Sequence, residues 1–202
     1  MKNISLLHVL DKSTDTPPAA ARQDVYMDPF GNEFKLVFHK TPTTGVATLA
    51  ASPVGWVDGA DLPEQVTADI SQSDANKVVG PSMVALTAAE TLAGIWHWVM
   101  TKGSMKEYKA GGKGIPMQPS GTPFDSSQYA ARFTAIAFIP TDDSIADGSG
   151  LQWKDDNVWQ AAADVDSRVI CGRSREADGG TDTLDPEAVT WNVPMGMSFA
   201  DA

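Results

Sequence analysis

The stretch AGIWHWVMTKG, Ala93 to Gly103, sets two tryptophans, a histidine, a valine and a methionine between two glycines. Read with the alternation of a β-strand, it places Trp96, Trp98 and Met100 on one face and Ile95, His97 and Val99 on the other. Neither set is polar, so both faces of the strand are expected to be covered. Each large aromatic buries roughly 150–250 Å². At about 25 cal/mol per Å² such a strand contributes several kcal/mol to a core or to a subunit contact. Gly94 and Gly103 suit tight turns at its two ends. Its apolar part runs only from Ile95 to Met100, far short of the ~20 residues that span a membrane.

Strand-like segments continue on both sides. Upstream, Lys77–Glu90 (KVVGPSMVALTAAE) reads as a neighbouring strand, joined to the central run by one helical turn at Ala88–Leu92 or by a hairpin. Asp28-Pro29-Phe30-Gly31-Asn32 has tight-turn composition. From Glu33 the chain alternates, with Phe34, Leu36 and Phe38 opposite Lys35, Val37 and His39. Downstream, residues 104–127 are dense in Gly, Pro and Ser and read as a long surface loop. Tyr129–Pro140 (YAARFTAIAFIP) alternates with two apolar faces and predicts a central strand. Residues 141–165 form a polar, Asp-rich excursion in which NVWQAAADV predicts a short helix. SRVICG and AVTWNVPM, the latter carrying Trp191, predict two closing strands.

Residues 1–24 read as an extended N-terminal arm. Pro17 and Pro18 forbid a regular helix there, and ordered structure is expected to begin near Val25. Residues 25–202 then make a single β-rich domain. No long amphipathic helix is present, and short strands alternate with Gly, Pro and Asp turns. The fold class is therefore all-β and mainly antiparallel: a small β-barrel or β-sandwich with long loops and a minor helix. Trp96, Trp98, Met100, Phe34, Phe38 and Trp191 are the residues expected in the core or at a subunit contact.

Charge and chemistry narrow the function classes. The chain carries a net charge of −11 over 202 residues. Residues 1–139 hold 11 Lys and Arg against 13 Asp and Glu, and residues 140–202 hold 4 against 13. An acidic field of this kind repels nucleic acid and anionic membranes. Lys102, Lys106, Lys109 and Lys113, interrupted by Glu107, form the one basic concentration and read as a solvated loop or a patch facing an acidic partner, with phosphate binding as the alternative. The single cysteine, Cys171, excludes an internal disulfide and a cysteine-based metal site, which fits folding in a reducing cytoplasm. The N-terminus lacks the continuous apolar region of a signal peptide.

No catalytic or cofactor motif is complete in the sequence. GPSMV around Ser82 lacks the closing glycine of a nucleophile elbow. AGGKGIP around Lys113 lacks P-loop spacing. The three histidines, His8, His39 and His97, are far apart in sequence, and His97 reads as a packed histidine bonded through one nitrogen. The Asp-rich segments from Asp142 and Asp178 do not match an EF-hand loop. No catalytic residue, cofactor site or metal site is assigned.

The order of motifs resembles that of the capsid-decoration (cement) proteins of tailed bacteriophages. DPFGNEFKLV, from Asp28, resembles their D-x-x-G-x-E-aromatic segment. VVGPSMVALTAAETLAGIWHWVMTKG resembles their next block, with His97 standing where the family pattern has glycine before Trp98. SRVICGRSREADGGTDTLDPEAVTWNVP resembles their ending. The resemblance implies a non-enzymatic virion protein, made in the host cytoplasm, that binds the assembled shell and stabilises it. Its implied partner is the major capsid protein, and it implies a homo-oligomer, with a trimer as the expected state. An arm through Pro17 and Pro18 and the patch of Lys106, Lys109 and Lys113 would contact the shell. The alternative is a carbohydrate- or surface-binding module of a fibre or adhesin, which predicts that Trp56, Trp96 or Trp159 is exposed.

Overall fold

The computed structural model describes residues 8–17, 25–41, 44–57, 60, 64–109, 112–115, 135–142, 145–162 and 168–194. The opening run is a strand, β7 (Ile95–Ser104), and it lies at the centre of the main sheet. Strand β3 (Glu33–His39) pairs with it antiparallel, setting Phe34 opposite Met100, Leu36 opposite Trp98 and Phe38 opposite Trp96. The other side of β7 is taken in pieces. β1 (Lys12–Ser13) pairs at His97 and Trp96. Met83 N–H donates to the Trp98 carbonyl and Val193 N–H to that of Thr101. β13 (Val189–Asn192) completes the ladder at Lys102–Ser104.

Gly94 and Gly103 have roles other than a pair of turns. Gly94 caps the helix α1 (Ala88–Ala93) at φ 95°, and a Cβ there would sit 2.3 Å from the Phe38 ring. Gly103 lies inside β7 at φ 118°, where a Cβ would meet the Asn32 side-chain oxygen at 2.1 Å. Both positions therefore require glycine. The start of α1 is a capping box. Glu90 N–H donates to the Thr87 hydroxyl, and the Glu90 carboxylate accepts from Thr87 N–H.

The remaining strands are β2 (Val25–Met27), β4 (Pro53–Val57), β5 (Gln65–Thr67), β6 (Ser73–Pro81), β8 (Ile139–Pro140), β9 (Gly150–Asp155), β10 (Val158–Ala161), β11 (Gly172–Ser174) and β12 (Thr183–Leu184). The main sheet has the order β10-β9-β11-β13-β7-β3-β5-β4-β6, with β1 on β7 and β2 on β3. All its pairs are antiparallel except β3 with β5. The two halves of the sheet curl toward each other. β6 touches β9, and Trp159 Nε1–H donates to the Ala51 carbonyl at 2.8 Å. Asp156 accepts from Ile70 N–H, and Asn157 accepts from Leu49 N–H. These contacts run through side chains and loops rather than a strand ladder, so the sheet is curled but is not a closed barrel. β8 and β12 form a separate two-stranded sheet.

Three clusters cover the two faces. The largest contains Phe34, Met100, Trp153, Trp159 and Trp191, all fully buried. The Trp159 and Trp191 rings lie 4.8 Å apart at 48°. Val37, Val66 and Val99 fill the opposite face of β3 and β7. Leu36 and Trp96 form a third group with the partly buried Phe38 and Trp98.

Several expectations need correction. Ordered structure begins well before Val25: Val9 and Leu10 are 3% and 1% exposed within the main cluster, and β1 follows them. Two apolar side chains are enough to dock this short segment, because β7 leaves its Trp96–His97 edge open for pairing. Residues 141–165 are not only a polar excursion. Over its described part, residues 157–162, the expected helix at NVWQAAADV is instead the second arm of the β9–β10 hairpin, turned at Asn157 with φ 63°; residues 163–165 lie outside the described residues. Its alanines favour helix, but burial of Trp159 outweighs that local preference. The described part of Tyr129–Pro140 is not a central strand: only Ile139 and Pro140 form a strand, Ile136 makes an isolated bridge to Lys109, and Phe138 is exposed. Of the expected loop at 104–127, residues 105–108 form a 3-10 turn that buries Met105 and Tyr108. SRVICG enters a strand only at its last residue, Gly172.

Candidate interaction surface

The described structure brings two of the distant histidines together. His39 Nδ1 and His97 Nε2 lie 3.3 Å apart, joining β3 to β7. His97 Nδ1 lies 3.1 Å from the Trp98 carbonyl and 3.2 Å from Ser82 Oγ. Ser82 Oγ–H donates to the Val84 carbonyl at 2.7 Å, and Thr48 Oγ1 lies 3.4 Å from His39 Nε2. One direction of donation satisfies the whole chain. Thr48 gives to His39 Nε2, His39 Nδ1–H to His97 Nε2, and His97 Nδ1–H to Trp98 and Ser82. Burial holds both imidazoles below their ordinary pKa, His97 at about 4, with His97 further opposing charge on His39. Both rings are therefore neutral near pH 7, as this chain of donation requires.

This cluster looks like serine–histidine chemistry, but its position denies it substrate. Ser82, His39 and His97 are 0% exposed, and the Ser82 proton is spent on a backbone carbonyl. It is a sealed polar tie across the sheet. The signal missed in the sequence was register: His39 and His97 are separated by 58 positions but lie on adjoining strands. Cys171 is also sealed, and burial pushes its thiol up to about 12. Among the described residues no group of three or more His, Cys, Asp or Glu is arranged to hold a metal ion.

The outward chemistry lies on β2 and its turn. Val25, Tyr26 and Met27 are 42%, 43% and 60% exposed, and Phe30 beside them is 45% exposed. Among the described residues β2 pairs with β3 alone, as a short apolar edge strand. Its position is fixed from behind. The Asp28 carboxylate accepts from the N–H groups of Phe30 and Asn32, from the Asn32 amide and from the Tyr108 hydroxyl. Asn32 in turn accepts from Ser104 N–H at 2.9 Å. The Tyr26 ring packs against Phe34 and Trp98, with centroids 6.1 and 5.7 Å away. Lys102, paired with Glu33 at 3.2 Å, and the exposed Lys106 flank the turn.

The expected contact residues are dispersed. Trp96, Met100, Phe34 and Trp191 are buried, whereas Trp98, beside Tyr26, and Phe38, beside Trp96, are partly buried. Lys106 and Lys113 are exposed, but Lys109 is bound within the chain to Asp185 and Glu187. Pro17 is buried, and Pro18 lies outside the described residues. Of the three indoles considered for sugar stacking, Trp96 and Trp159 are buried, and the Lys35 ammonium lies 4.9 Å from the Trp56 ring.

No protein-family model, curated protein or solved structure matches this chain. The surface chemistry and the order of sequence blocks therefore carry the functional reading.

Proposed function

We propose that this is a non-enzymatic structural protein of a virion, a capsid-decoration protein that adheres to the assembled shell of a tailed phage. The observation that carries this reading is the exposed apolar edge of Val25, Tyr26, Met27 and Phe30, held rigidly on a covered β-body. An adhesive protein requires a preorganised contact area and no reacting groups. The Asp28 knot supplies the preorganisation, and the buried histidine tie adds rigidity without exposing a nucleophile. The partner in this reading is the major capsid protein, and many identical weak contacts around a closed shell add up to stable coating. Self-association into a trimer belongs to the same proposal.

Mass spectrometry and image reconstruction of purified mature particles test it. The expected result is a fixed copy number relative to the shell protein and density on the outer surface. Absence from mature particles overturns the reading.

A further inference from the structure

A second outward feature lies on β11 and β13. Ile170, Gly172, Arg173, Arg175, Thr190 and Asn192 line an open groove of about 470 Å³. Arg173 stands opposite Thr190 in the β11–β13 ladder, and Arg175 lies two residues further along the chain. Each guanidinium carries five N–H donors. Arg173 Nη1 gives one to the Gly148 carbonyl at 2.9 Å. None of the ion pairs among the described residues involves either arginine. In a chain with 26 acidic side chains against 15 basic ones, two guanidiniums on one groove that pair with no carboxylate among the described residues stand out. The Thr190 hydroxyl on the groove wall is covered and has no hydrogen-bond partner. Ile170, 50% exposed, supplies an apolar wall.

A cross-strand row links the groove rim to the β2 edge: Asn192 pairs with Lys102, Lys102 with Glu33, and Glu33 with Met27. At about 4.8 Å per strand the groove rim and Met27 lie roughly 14 Å apart along this row. A bound segment of four or five extended residues spans that distance.

We propose that this groove seats a carboxylate from an acidic peptide segment of a partner protein, with an apolar neighbour of that carboxylate packed against Ile170. The chemistry follows from what the groove offers and lacks. Two planar guanidiniums match a carboxylate in bidentate geometry, and the exposed Asn192 adds a neutral donor. An apolar side chain next to the acid covers Ile170 and removes water from the charge pair. As the chemistry of the shell contact this rests on the adhesive reading, whereas the groove's preference for carboxylate is measurable without a particle.

Titration of a fluorescent peptide of alternating aspartate and leucine into the full chain tests it, beside a serine–leucine peptide and free acetate. The aspartate–leucine peptide is expected to bind at least about tenfold more tightly than the serine–leucine peptide. Its affinity is expected to fall with added salt, and acetate is expected to compete only weakly. Arg173→Gln with Arg175→Gln should weaken it about tenfold or more while leaving the melting temperature unchanged, because both side chains are exposed. Arg175→Lys, which keeps charge but loses the fork, should recover only part of the affinity. Equal binding of the two peptides, full binding by the double variant, or no binding at millimolar peptide overturns the proposal. Loss of peptide binding with particle binding intact would reject the groove alone.

Discussion

At the scale of the residue, burial decides which aromatic side chains hold the fold and which remain for contact. Trp191 is 0% exposed and packs on Trp159, whereas Trp98 is only partly buried. Trp191→Ala should therefore cost about 3–5 kcal/mol in denaturant unfolding, and Trp98→Ala clearly less. Equal losses would contradict this division. The histidine tie predicts a pH dependence. In the unfolded chain each histidine titrates near 6.5, but in the folded chain both are held lower, His97 at about 4. The unfolded state thus binds more protons between these values. The stability is fully present above about pH 6.5 and is lost as pH falls toward 4. The slope reaches about 1.4 kcal/mol per pH unit for each histidine, some 3 kcal/mol in all for His97. Denaturant unfolding at pH 7, 6 and 5 measures it, and His97→Gln should flatten the slope. An unchanged slope in that variant would show that His97 does not contribute to the acid limit. The aromatic burden of the central run was legible in its residues. The histidine pair was not, because sequence does not report which positions two paired strands bring together.

At the scale of the element, alternation was a reliable guide where both strand faces are covered and a poor one where tertiary contacts override composition. β3 and β7 were readable because apolar residues alternate over their length. The Ala-rich segment after Asn157 reads as helix, yet the left-handed turn at Asn157 and the buried Trp159 make it a hairpin arm. The N-terminal segment misleads for the opposite reason: its prolines suggest a free arm, but Val9 and Leu10 dock ahead of them. Lys12 then ties β1 to the capping box of α1 through Glu90 at 2.7 Å. Leu10→Ala is expected to lower stability by about 2–5 kcal/mol, as for any fully buried leucine. A change below ~0.5 kcal/mol, typical of a surface substitution, would show that β1 does not hold the sheet in solution.

At the scale of the whole molecule, the curled sheet sets both faces of β3 and β7 under cover and leaves an apolar edge outside. The mainly antiparallel β class was legible from turn spacing. The open, curled arrangement was not, because it depends on long-range ties such as Trp159 to Ala51 and Asp156 to Ile70. The proposed contact surface was hidden for the same reason: the lysines of the expected patch separate, and Lys109 is taken up in surface ion pairs with Asp185 and Glu187. For the proposed adhesion the β2 edge is the decisive region. Met27 is 60% exposed, so Met27→Lys should leave melting unchanged while placing a charge in the contact. Co-sedimentation of wild type and Met27→Lys with intact mature particles is the most direct measurement. Wild type is expected to pellet with the particles and the folded variant to stay in solution; equal pelleting of both, or of neither, would contradict the account.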